Sequence, residues 1–144
     1  DKSGPVIREI LETNGYEVVH TILLPDDRKM LADEMARIAD AKMAELIVTT
    51  GGTGFSPRDC MPEATKDIIE REVPGIPEAM RAYSMTITPR AMLSRAAAGI
   101  RKGTLIVNLP GSPKAVRESL EYIIPALEHG LQILTGEAAN CARK

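Results

Sequence analysis

Tryptophan is absent from the 144-residue chain, phenylalanine occurs once and tyrosine three times. So sparse an aromatic set argues against the successive stacking platforms of a single-strand nucleic-acid binder. An excess of positive charge is missing as well. With 18 Lys and Arg against 20 Asp and Glu, the formal net charge is −2, and the basic stripe of a nucleic-acid interface is not expected. Cysteine is scarce: Cys60 and Cys141 cannot build a disulfide framework and have no metal-ligand spacing with His20 and His129. A reduced, cytoplasmic setting is the expectation. No apolar run approaches the roughly 20 residues of a membrane span, and no charged-then-apolar leader opens the chain. What remains is a domain of ordinary hydrophobicity, 44%, long enough to hold one core and a cleft.

The hydrophobic period switches repeatedly between the helical and the strand pattern, which predicts an alternating α/β domain. Val6, Ile7, Ile10 and Leu11 recur at helical spacing between start signals at Ser3 and Pro5 and a stop at Asn14-Gly15. Residues 17–24, dense in Val, Ile and Leu and ending at Pro25, predict a strand. Leu31, Met35, Ile38 and Ala39 mark a helix to about Ala44, and LIVTT at 46–50 predicts a strand buried on both faces. Pro62 opens a helix with Ala64, Ile68 and Ile69 inward, stopping near Pro74-Gly75, and a further helix spans about 77–85. Residues 96–100 and 105–109 predict a strand, a turn and a strand, although the Ala-rich first half also suits a helix end. Beyond it Ser112 caps a helix carrying Val116, Leu120, Ile123 and Ile124, with Pro113 at its first position. Pro125 begins or kinks a last helix closed by Gly136, and the tail from Glu137 is expected to fray.

Open α/β sheets bind ligands beyond the carboxyl ends of their strands. Three loops leave such ends, at 25–28, 51–62 and 110–113, and parallel strands would gather them on one rim. Gly51, Gly52, Thr53 and Gly54 offer backbone N–H groups without Cβ obstruction, as a nest for phosphate oxygens does; a tight turn needing positive φ is the plainer account. The run fits neither the P-loop nor the dinucleotide pattern. Arg58 could hold a phosphate and Asp59 a Mg²⁺ bridging phosphate oxygens, or the two form a surface ion pair. Of the adjacent Asp26 and Asp27, one suffices to cap the next helix, and Asp26, nearer the strand end, is the candidate ligand. Gly111 and Ser112, after Asn108 and Pro110, open a helix whose N–H groups suit an anion, and Ser94 and Arg95 are a second anion contact or plain surface residues. Neither histidine is placed like a catalyst, and the seven methionines fall mostly at core spacing. Cys60 would be reactive if Arg58 and the helix N-terminus favoured its thiolate.

Together TTGGTGFSPRDCMPEAT (49–65), LPDD (24–27) and LSRAAAGIRKGTLIVNLPGSPKAV (93–116) resemble the Mog family of molybdenum-cofactor biosynthesis proteins, closest to its molybdopterin adenylyltransferases and related to the gephyrin domain. The resemblance implies a three-layer α/β/α sandwich with a mostly parallel, mixed sheet, assembled as a homotrimer that can contact the molybdenum-insertion protein. It implies Mg²⁺-dependent transfer of AMP from ATP to molybdopterin with release of pyrophosphate. By motif match the metal-binding and catalytic acids fall on Asp26 and Asp59. The anion and pterin contacts fall on Gly51, Gly52, Thr53, Gly54, Ser94, Arg95, Pro110, Gly111 and Ser112, beside Arg58. The chain departs from the family in two places. Met61 stands where Thr is common, removing a helix cap and a hydroxyl from the site. The usual first apolar strand with its Ser-Asp end is not found before Asp1, so residues 1–144 read as one domain shortened by a strand. A molybdopterin-binding protein without turnover and a nucleotide-sugar pyrophosphatase of the competence-damage type are the alternatives.

Overall fold

The computed structural model describes residues 2–136. Helix α1, Ser3–Thr13, buries Ile7, Ile10 and Leu11 and ends where the Asn14 side-chain amide donates to Ile10 O at 2.8 Å, ahead of Gly15 at φ 88°. Helix α2, Arg28–Asp40, starts on an Asp27 carboxylate that accepts the Met30 N–H at 2.9 Å. Strand β1, Leu46–Thr50, leads through the glycine loop to α3, Met61–Ile68. A two-residue strand β2, Arg71–Glu72, precedes α4, Gly75–Met85, and a 3₁₀ turn at Pro89–Leu93. The hairpin of β3, Ala98–Arg101, and β4, Thr104–Leu109, feeds the long helix α5, Pro113–Thr135.

The sheet order is β1-β4-β3-β2, with β1 parallel to β4 and the other pairs antiparallel, so the mixed sheet carries its parallel pairing at β1–β4. Side chains alternate across β4: Leu105, Val107 and Leu109 join the core with α1, α4 and α5, and Ile106 joins Leu31, Met35 and Ala64 beneath α2 and α3. Helices on both faces complete the three layers that the family resemblance implies.

Several expectations change. Residues 17–24 form no strand: they run without a sheet partner, and Leu23 is 82% exposed. A groove of about 920 Å³ separates them from β1 and denies them a ladder of hydrogen bonds. The same groove explains why β1 is half-buried throughout, whereas β4 is buried at all six positions. Helix α2 stops at Asp40 rather than near Ala44, because Lys42 adopts φ 55°. Helix α3 ends at Ile68, and β2, too short for a periodic signal, follows it. Pro125 does not begin a helix: α5 runs through it, with Ile123, Ile124 and Leu127 buried on one side and Pro125 exposed on the other. The expected fraying from Glu137 and Cys141 itself lie outside the described residues.

Candidate functional site

Because β1 and β4 are parallel neighbours, the loops at their carboxyl ends meet. The Gly51 N–H donates to Leu109 O at 3.2 Å, and a Cβ added to Gly111 would come 3.5 Å from the Gly51 Cα. The Thr50 hydroxyl donates to Pro110 O and the Ser3 hydroxyl to Gly111 O, both at 2.6 Å. In a trans peptide the C=O and the following N–H point opposite ways, so these bonds turn the Gly111 and Ser112 amides away from the two hydroxyls. Ser112 also caps α5, its Oγ accepting the Ala115 N–H at 3.2 Å. An anion facing this turn meets backbone donors and the positive end of a 23-residue helix.

Across the rim, Gly51 and Gly52 adopt φ of 85° and 71°, two consecutive positive values that account for the glycine pair. Gly52 has a second constraint, since a Cβ there would lie 3.2 Å from Met61 Cβ while its carbonyl accepts the Met61 N–H. Thr53 is buried. The loop then folds on Asp59, whose Oδ2 accepts the Ser56 N–H at 3.0 Å and whose own N–H donates to Ser56 O. Asp59 Oδ1 takes no hydrogen bond among the described residues. Arg58 is exposed and pairs with no acid among them, so the ion pair with Asp59 is not made.

Asp26 and Asp27 separate as the surplus-acid argument requires. Asp27 caps α2, and the Asp26 side chain has no hydrogen bond or ion pair among the described residues. Asp26 lies close enough to Cys60, with Glu63 and Asp27, to act on its thiol, which places the 25–28 loop beside the 51–62 loop. Burial first, and then those three carboxylates, push the Cys60 thiol up. The condition for a reactive Cys60, a favoured thiolate, is therefore not met.

Arg95 is tied to the glycine loop and to α3. Its Nε, Nη1 and Nη2 donate to Gly54 O, a Glu63 carboxylate oxygen and Asp59 O at 2.8, 2.6 and 2.9 Å, and its N–H donates to Thr53 O. The guanidinium in turn holds the Glu63 carboxyl below the usual carboxylate range. Ser94 is half-buried, its Oγ accepting the Ala96 N–H and its carbonyl an Arg81 N–H. Asn108 is a strand residue: fully buried, its amide donates to the Thr49 and Thr65 hydroxyls and its Oδ1 accepts the Ala97 N–H. It braces the floor from which both rim loops depart. Met61 occupies the first turn of α3 rather than its cap, which falls on Cys60 without a side-chain bond, and its side chain packs with Leu31, Met35 and Ala64. Sequence reasoning missed Ser3, Thr50 and Glu63; a hydroxyl at a strand end and an acid in a first helical turn are too common to single out.

Among the described residues no three His, Cys, Asp or Glu side chains form a metal-holding group. Two carboxylates on separate loops fit a Mg²⁺ that keeps its waters and takes its remaining ligands from substrate phosphates.

The family described as "Probable molybdopterin binding domain" matches residues 1–129. A molybdopterin adenylyltransferase of Helicobacter pylori is 41% identical over 139 residues, covering 94% of this chain and 78% of that protein. Gephyrin of Dictyostelium discoideum is 41% identical over 147 residues, 95% of this chain and 20% of its own length. The solved molybdopterin biosynthesis enzyme MoaB of Thermus thermophilus superposes with a TM-score of 0.89 at 48% identity, covering 94% of this chain and 86% of that one.

Proposed function

The chain belongs to the molybdopterin-binding domain family of molybdenum-cofactor biosynthesis proteins, and from that premise we propose that it is a molybdopterin adenylyltransferase. The observation that supports the reading is the meeting of the Gly51 and Gly111 loops at one rim, beside an Asp59 that keeps Oδ1 uncommitted and an Asp26 near Cys60.

In this reading the Gly51, Gly52 and Gly54 backbone, Thr53, Arg58, Ser94 and the 110–112 turn hold the molybdopterin phosphate and pterin. The terminal phosphate oxygen of molybdopterin attacks the α-phosphorus of ATP, and the bond to the pyrophosphate oxygen breaks. Asp26 and Asp59 would hold Mg²⁺, which supplies charge neutralisation on the nucleotide phosphates when bound. The chain contributes alignment and fixed dipoles, the two terms that matter most in phosphoryl-type transfer. Incubating the purified protein with ATP, Mg²⁺ and molybdopterin should give adenylylated pterin by mass spectrometry. Retained pterin with no such product would establish the second reading, binding without turnover.

The domain organisation belongs to the same proposal. The groove beside β1 is walled by α1 and α5 on one face, α2 on the other and residues 17–24 opposite. Helix α1 starts at the rim, where Ser3 meets Gly111, so an extended segment joined to it by a short loop would run parallel to β1 and end beside Thr50. An apolar strand in that slot would carry its last residues into the site. Assembly as a trimer is part of the reading too, with the exposed Met85, Ile87, Met92 and Leu93 as surface for it.

A further inference from the structure

The loop that carries Asp59 has little to hold it in place. Between the buried Thr53 and helix α3 it is exposed at residues 55–58, and its internal hydrogen bonds all close on the Ser56–Asp59 turn. What fixes that turn to the domain comes from outside it. Arg95 leaves the 3₁₀ turn toward β3 and reaches the loop at both ends, at Gly54 O and Asp59 O, while its backbone N–H takes Thr53 O. Glu63, in the first turn of α3, takes the remaining guanidinium nitrogen. The pair therefore ties three elements together: the loop, the start of α3 and the segment entering β3.

Resting on the adenylyltransferase reading, we propose that Arg95 and Glu63 are a positioning pair that sets where the Asp59 carboxylate stands, and that Arg95 is not a contact of the substrate phosphate. Three of the five guanidinium N–H groups are engaged by two carbonyls and a carboxylate, so the side chain can swing toward a ligand only by releasing the loop. Its planar fork also explains the residue type, because Lys offers one nitrogen and could not bridge Gly54 O, Asp59 O and Glu63 at once. Asp59 is held from both sides of its backbone: its carbonyl by Arg95, its N–H and Oδ2 by Ser56. This geometry leaves Oδ1 for a ligand.

Two measurements separate a positioning role from a substrate contact, and the first needs no activity. Hydrogen exchange of the intact protein should show amides 53–59 exchanging at least tenfold faster in Arg95→Met, with helix α5 unchanged. Glu63→Ala should give a smaller, roughly threefold effect confined to the same segment, and serves if Arg95→Met does not fold. In the second, Arg95→Met should lower kcat at least tenfold and weaken Mn²⁺ binding in the presence of ATP, while the dissociation constant for molybdopterin stays within twofold. Unchanged exchange at 53–59 overturns the proposal, as does a tenfold loss of molybdopterin affinity with unchanged Mn²⁺ binding. A wild-type protein that forms no adenylylated pterin overturns the enzymatic reading alone, since the exchange result still decides the positioning pair.

Discussion

Asp26 and Asp27 are neighbours in sequence with separable roles. Asp27→Ala removes the cap of α2 and should cost about 1 kcal/mol in urea unfolding while leaving adenylylation nearly intact. Asp26→Ala breaks no hydrogen bond among the described residues, so its unfolding midpoint should stay at the wild-type value while turnover falls at least a hundredfold; the reverse pattern would exchange their assignments. The surplus-acid argument already chose between them on sequence, because a cap needs one carboxylate and two were present. Asn108 was not legible in that way. Its strand was readable in LIVNL, but its partners were not, and only the strand pairing shows it beneath the rim, meeting Thr49, Thr65 and Ala97. Asn108→Ala leaves a buried N–H and two hydroxyls short of partners and should cost about 2–4 kcal/mol by equilibrium unfolding.

At the scale of elements, the helices were the readable part, since α1, α2, α4 and α5 each carry an apolar face with end signals. The strands were harder. LIVTT and LIVNL were found because they are short β-branched runs, but residues 17–24 have the same composition and no neighbour to pair with, and pairing is not written in composition. Of the two outcomes the proline at 125 allowed, a new helix start is not the one found, because a buried face on either side carries the helix through it. Pro125 is exposed and supplies no N–H to the helix, so Pro125→Ala should raise stability by about 1–3 kcal/mol in a denaturant titration. Helix α2 makes a pH-dependent contribution. Hydrogen bonds from Arg37, and next from His20, lower the Glu34 carboxyl from 4.5 to about 2 against the opposing effect of burial. A carboxyl depressed on folding stabilises fully above its unfolded value and loses that effect as pH falls through its folded one. Stability should therefore decline between about pH 4.5 and 2, and Glu34→Gln should flatten that part of the urea-midpoint profile.

At the scale of the molecule, the groove beside β1 decides most. Filling it with an apolar, β-forming strand placed ahead of Asp1 should raise the urea midpoint and slow exchange of the Leu46–Thr50 amides; no change in either would remove the slot from the proposal. The rim shows why the site was only partly visible in sequence. Its glycines, Asp59 and Ser112 announce themselves as motifs, whereas Ser3, Thr50 and Glu63 matter through partners far along the chain. The parallel pairing of β1 with β4 has a consequence in time. Thr49 and Asn108, which bond across it, stand 59 residues apart, while β3 and β4 meet across a tight turn. Closing the short hairpin costs little chain entropy and closing the long crossover costs more, so the hairpin should form early and β1 should dock late. The glycine loop and the 110–112 turn come together only at that last step. A chain arrested before it would have much of its helix and hairpin yet nowhere to hold a phosphate, and the ability to bind one would report that folding had finished.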